Sequence, residues 1–267
     1  MGEFSKVERD GHVLIVTLNR PERMNALHSP AHYELDTVWN EFEADPDLWV
    51  GVLTGAGERA FSAGNDLKYQ ASGGKMGGPK SGFAGLTARF DNSKPVIAAV
   101  NGLAMGGGFE IALACDLIIA SENAIFALPE PRVGLAALAG GIHRLPREIG
   151  MKQAMGMLLT GRRVPAAEGQ QLGFVNEVVP KGQALRLLSS GPRKFWNVHR
   201  FRFAPARRPQ CKAWRRNPSR PRSKVGMIRL RRSMRARILL KGLGPFRKNA
   251  RPIGKASSAS NRNSNKR

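Results

Sequence analysis

Pro95-Val96-Ile97-Ala98-Ala99-Val100-Asn101-Gly102-Leu103-Ala104-Met105-Gly106-Gly107-Gly108-Phe109-Glu110 is the stretch whose reading decides the fold. It opens with a continuous apolar run, the pattern of a parallel strand buried on both faces. A glycine cluster follows, and then the apolar helix pattern Ile111-Ala112-Leu113-Ala114-Cys115. Three consecutive glycines at a strand–helix junction permit close backbone approach, and the amides of a new helix attract negative charge. The pattern is not GxGxxG, and a tight turn packed against a neighbour explains the glycines equally well.

Outward from this junction the same alternation recurs. Val13–Leu18 reads as a strand. Pro30–Phe42 reads as a helix with Tyr33, Leu35, Val38, Trp39 and Phe42 on one side. Val50–Thr54 and Leu117–Ala120 read as further strands, Leu138–Leu159 as helical, and Phe174–Val179 as the last strand. Residues 71–87, rich in Gly and Ser with little apolar periodicity, read as a mobile loop. Repeated strand–strand–helix units predict an α/β fold with crossover connections.

Candidate chemistry clusters around the glycines. Ala60-Phe61-Ser62-Ala63-Gly64-Asn65-Asp66-Leu67 is a second small-residue turn after a strand. Two such turns can each aim a backbone N–H at one developing oxyanion, worth roughly 10²–10³ in rate per donor. Asp66 reads first as a helix N-cap. Glu110 borders an apolar helix, and Glu130 is fenced by Pro129 and Pro131. Read locally, Glu110 lies either on an exposed stripe or half-buried, and Glu130 is either a surface turn residue or a rigidly held acid. Two carboxylates beside an oxyanion pocket could hold a water and exchange protons with a substrate carbon.

Five motifs stand in order: Asn19-Arg20-Pro21 with Asn25-Ala26-Leu27, Phe61 to Leu67, Lys94 to Gly102, Gly106 to Glu110, and Leu159-Thr160-Gly161. Together, from about residue 5 to residue 181, they resemble the crotonase (enoyl-CoA hydratase/isomerase) family. The resemblance implies a spiral of ββα units in residues 1–181 that binds an acyl-CoA thioester and stabilises its enolate. It implies backbone N–H donors at Asn65 and Gly107. Asn65 stands where the family often has Ala, but only its amide is required. Glu110 and Glu130, 20 positions apart, match the two catalytic glutamates of the hydratase branch. Their matching roles are activation of water for Cβ by Glu110 and protonation of Cα by Glu130. Arg23, Asn25, Ala26, Ala63, Gly64, Asp66, Leu67 and Gly106 match positions near the CoA and acyl groups. Both acids together favour hydration of a trans-2-enoyl-CoA, a hydro-lyase reaction. An isomerase or a carnitinyl-CoA-type dehydratase is the alternative within the family. The resemblance implies no cofactor besides the CoA thioester substrate, and a homotrimer or dimer of trimers.

Composition adds bounds. The apolar run Val13–Leu18 is strand length, far short of the roughly 18 residues of a membrane span, and no cleavable signal is apparent. Cys115 and Cys211 form neither a disulfide framework nor a metal spacing, which fits a reducing, cytoplasmic setting.

Charge divides the chain. Residues 1–181 carry 17 Lys and Arg against 20 Asp and Glu, whereas residues 182–267 carry 26 Lys and Arg and no acid. The basic segment, Arg-, Pro- and Ser-rich, predicts an irregular or disordered tail in place of the family's C-terminal helices. Reading each last codon base with the first two of the next codon permits family-like strings over Lys194–Pro205 and Pro245–Ala256. A frameshift between about Pro180 and Lys194 accounts for both strings and for the basicity. The rival reading is nonspecific nucleic-acid binding, with Phe195, Trp196, Phe201, Phe203 and Trp214 set among the cations.

Overall fold

The computed structural model describes residues 2–75 and 77–189. Strands β1 (Ser5–Asp10) and β2 (Val13–Leu18) form an antiparallel hairpin around Gly11. β2 then pairs in parallel with β3 (Val50–Gly55), and the sheet continues through β5 (Val96–Val100), β7 (Leu117–Ser121) and β10 (Glu177–Val179). A second sheet has the order β4 (Ala60–Ser62), β6 (Leu103–Met105), β8 (Ile125–Ala127), β9 (Val164–Pro165).

The two sheets advance together. β3, β5 and β7 enter the larger sheet, and the next strand of each pair, β4, β6 or β8, enters the smaller one. A helix then follows: α2 (Leu67–Ala71), α3 (Gly107–Ala114), or the pair α4 (Gly141–Ile149) and α5 (Met151–Thr160). This is the expected spiral of ββα units. Because both sheets repeat the same step, every strand–helix turn emerges beside its predecessor's turn. That register brings residues 62–66 next to residues 105–108.

Parallel strands covered on both faces need apolar residues at successive positions. Leu14, Val16, Leu18, Leu53, Ala98 and Val100 point into the larger core. Val13, Ile15, Val50, Val52, Ile97, Ala99 and Ile119 form a second core on the opposite face. Ala184 and Leu185 of helix α7 (Ala184–Ser189) join this second core, beyond the boundary at 181 drawn from charge. Phe109, Phe126 and Phe174 meet with ring centroids 5.0–5.2 Å apart and tie α3 and β8 to the turn before β10.

Three expectations about local structure need correction. Helix α1 (Ser29–Ala44) buries Ala31, His32, Leu35, Trp39 and Phe42, whereas Tyr33 is 52% exposed. Tyr33 lies off the stripe defined by the i, i+4 spacing of 31, 35 and 39. The segment 71–87 is not bare loop throughout: Ala84, Gly85, Leu86 and Thr87 are buried, and residues 83–85 form a 3₁₀ turn. Its anchors are hydrogen bonds to α1 rather than apolar periodicity. The last strand begins at Glu177, because Phe174 and Val175 are held in a turn by the Gly169 carbonyl.

Among the described residues no helix is long and apolar enough to cross a membrane. The basic segment from residue 190 onward, with its aromatic residues and the last part of the 180–194 interval given for the frame change, lies outside the described residues.

Candidate active site

The site begins with two turns that touch. Beyond β4, Leu27 donates to the Gly64 carbonyl at 2.7 Å, and Asp66 donates to the Leu27 carbonyl at 2.8 Å. Since consecutive residues of an extended segment point their polar groups to opposite sides, the Asn65 N–H faces away from Leu27. Gly64, at φ +84°, faces the other turn: a Cβ there would lie 2.6 Å from the Met105 carbonyl oxygen and 2.7 Å from the Gly107 nitrogen. Gly108 packs as tightly, since a Cβ on it would fall 2.1 Å from the Ser62 carbonyl oxygen.

Gly106 caps α3, and Gly107 and Gly108 are its first helical residues, whose amides have no partner within the helix. Among the described residues neither the Asn65 nor the Gly107 N–H donates to a protein acceptor. Two free amides on abutting turns can receive one developing oxyanion, and the α3 dipole adds favourable potential there.

Two carboxyl groups flank these amides. Glu110, in the first turn of α3, is only 3% exposed. Its Oε1 accepts from the Gly141 N–H at 2.8 Å. Burial pushes its pKa up to about 7; the amides of Gly141 and Ala139 oppose this, and the Glu130 charge adds to it. Glu130 opens the 3₁₀ turn after β8 and is half-buried. Its pKa is also raised by burial, and its Oε2 is enclosed without a hydrogen-bond partner. Glu130 Oε1 would lie 3.0 Å from a Cβ on Gly106, so this carboxyl reaches over the turn carrying the Gly107 amide. Burial raises both carboxyls, which favours a state in which one of the pair holds a proton and the other does not.

The other predicted positions divide into frame and rim. The Asn25 side chain accepts from the Arg20 N–H and donates to the Ala56 and Ala60 carbonyls, so it is fully used in the fold. These bonds hold Met24 and Asn25 in left-handed backbone, at φ 53° and 54°. Asp66 is the α2 N-cap, as its sequence context implied: its side chain accepts from the Tyr69 N–H at 3.0 Å. It also pairs with Arg20 at 3.0 Å, and Arg20 donates to the Ala26 carbonyl. Burial alone would raise the Asp66 pKa, but the Tyr69 amide and Arg20 outweigh it and hold the carboxyl below its ordinary value. Ala26, Gly64 and Gly106 are buried beside the turns, whereas Arg23, Ala63 and Leu67 are exposed at the rim.

Several participants escape a sequence reading. The amides of Ala139 and Gly141 orient Glu110 from 29 and more residues away in the chain. Only the adjacent glycines 140 and 141 hint at a special turn there. Arg144 is 8% exposed and donates to the Thr87 carbonyl at 2.7 Å, linking α4 to the 83–87 turn. No motif marks it.

Comparisons with known proteins identify the family. The profile of the enoyl-CoA hydratase/isomerase family matches residues 8–192. A carnitinyl-CoA dehydratase of Citrobacter koseri is 48% identical over 188 residues, covering 69% of this chain and 71% of that protein. A solved carnitinyl-CoA dehydratase from Mycobacterium avium superposes with a TM-score of 0.74 at 39% identity, covering 78% of this chain and 82% of that one. An enoyl-CoA hydratase from Mycobacterium tuberculosis superposes with a TM-score of 0.75 at 34% identity, covering 81% and 85%. With the ββα spiral and the paired turns on one side and these similarities on the other, the chain belongs to the enoyl-CoA hydratase/isomerase family.

Proposed function

We propose that this chain is an enoyl-CoA hydratase, adding water reversibly across the Cα–Cβ double bond of a trans-2-enoyl-CoA. The carrying observation is the placement of Glu110 and Glu130, both with raised pKa, around the turn that presents the Gly107 amide. Glu110, as carboxylate, removes a proton from a water whose oxygen bonds to Cβ. The π electrons shift into the thioester, whose oxygen gathers negative charge between the Asn65 and Gly107 N–H groups. Glu130, as carboxylic acid, delivers its proton to Cα. Glu110 ends protonated and Glu130 ionised, and proton exchange with solvent restores the starting state. The reverse sequence expels water.

A second reading shares this chemistry. The curated relatives at 46–48% identity are named carnitinyl-CoA dehydratase, which favours a quaternary-ammonium acyl group as substrate. Initial rates with crotonyl-CoA, carnitinyl-CoA and a 3-enoyl-CoA separate the possibilities. Hydration of crotonyl-CoA supports the first reading, and dehydration confined to carnitinyl-CoA supports the second. Shift of the 3-enoyl double bond without water exchange overturns both.

A further inference from the structure

The 81–89 segment packs on α1 through bonds that the proposed reaction does not use. Ala84 sits in left-handed backbone at φ 56°, a conformation costing a residue with a Cβ roughly 1–2 kcal/mol. Its two polar backbone groups are both held by α1: Trp39 Nε1 donates to the Ala84 carbonyl at 3.1 Å, and the Ala84 N–H donates to His32 Nδ1 at 3.2 Å. The Phe83 N–H donates to Thr87 Oγ1 at 2.9 Å, and Gly85 lies so close that a Cβ on it would be 2.5 Å from the Asp36 Cα. Backbone held in an unfavourable conformation by this many partners is fixed for what it presents.

What it presents is Phe83. The ring leans on His32, with centroids 4.3 Å apart and planes tilted by 54°. Its other edge faces Gly107: a Cβ on Gly107 would lie 2.7 Å from Phe83 Cε1 and Cζ. A partly exposed apolar ring therefore lies beside the amide that would receive the thioester oxygen. A carbonyl accepting from that amide carries its substituents within a few ångströms of the ring.

We propose that Phe83 is a specificity residue that limits the bulk of the acyl group beside Gly107, and that His32 is the positioning residue that holds it there. The inference rests on the acyl-CoA reading above and adds to it a preference for short acyl chains. His32 can accept from Ala84 only while Nδ1 is unprotonated. Burial and the neighbouring His28 lower its pKa to about 4, so the acceptor persists at neutral pH.

Calorimetric titration of the full chain with butyryl-CoA and octanoyl-CoA tests this without requiring turnover. Phe83→Ala is expected to raise octanoyl-CoA affinity relative to butyryl-CoA by at least roughly tenfold, the effect of newly burying about two methylenes. Phe83→Leu serves if the alanine variant fails to fold. His32→Leu is expected to shift the ratio the same way. His32→Asn, which places an acceptor where Nδ1 stands, is expected to restore it. A merely structural role would weaken both ligands alike. An unchanged ratio in folded Phe83 variants overturns the inference alone, whereas an unsubstituted chain that binds no acyl-CoA overturns the functional reading with it.

Discussion

Gly64 and Gly107 meet so closely that a methyl group on Gly64 would stand 2.7 Å from the Gly107 nitrogen. The two turns proposed to offer amides to one oxyanion are therefore held together by backbone contact, with no side chain between them. The alignment of two donors then depends on the absence of one carbon atom.

Gly64→Ala is accordingly expected to force the turns apart. Its φ of +84° adds strain to the overlap. Stability should fall by about 2 kcal/mol or more. kcat should fall by roughly 10²-fold, the worth of one misaligned donor. Denaturant titration and crotonyl-CoA kinetics measure the two losses separately, and wild-type values for both would contradict the contact's role.

Glu110→Gln should lose about 10²–10⁴ in kcat, since the amide cannot take a proton from water. It should also be more stable than the parent at pH 8. Glu110 titrates near 7 in the folded chain and near 4.5 when unfolded, so its favourable contribution is complete below about 4.5 and lost as pH rises through 7. The glutamine keeps the Gly141 bond without the buried charge. The stability gain, on the order of 2–3 kcal/mol at pH 8, should vanish near pH 4. Melts of both proteins across that range give the answer.

The same pKa sets the acid side of the rate profile. kcat/KM should decline below about pH 7 as Glu110 takes up the proton that blocks its proposed role as base. A profile flat down to pH 5 would place the base elsewhere.

Arg20 and Asp66 form a largely buried pair that joins the 19–27 segment to the cap of α2. Arg20→Met should cost about 3–5 kcal/mol at pH 7, because a buried carboxylate loses its ion-pair partner and keeps the Tyr69 amide and the more distant Arg23 charge. The paired Asp66 titrates below its ordinary value, so its contribution is present above about pH 4 and lost as pH falls through the folded pKa. The deficit of the variant should therefore shrink towards pH 4, where its unpaired Asp66 protonates. Urea midpoints at pH 7 and pH 4 report the difference.

The coding DNA carries one more expectation. If the acid-free segment after Glu177 arises from a frame change near residues 180–194, the shifted frame should run without stop codons across the codons of residues 195–256. Interruption of that frame would leave the basic segment as an encoded feature. Steep salt dependence of nucleic-acid binding would then be its first assay.

Much of the fold was legible because its signals are local. Val13–Leu18 and Val96–Val100 are too short and too apolar to be anything but buried strands, and Gly106-Gly107-Gly108 marks a turn that admits close neighbours. Asp66 could be recognised as a cap because aspartate at the end of a small-residue turn is a favoured residue to start a helix. Tyr33 could not be assigned to solvent, because one aromatic residue near an apolar stripe looks the same on either side of its edge. The 83–87 turn was hidden for a different reason: Ala84 is held by His32 and Trp39, 52 and 45 residues away, and such bonds leave no periodicity.

The candidate site divides along the same line. The sequence by itself determined which residue types were on offer: two carboxylates 20 positions apart, two glycine-bearing turns, and a charge balance that changes abruptly after Glu177. Only the tertiary structure decided their chemistry. Glu110 titrates near 7 because helix α3 packs it against the 139–141 turn, out of water. Desolvation depends on everything that surrounds a group, and for Glu110 those surroundings are assembled from segments far apart in the chain.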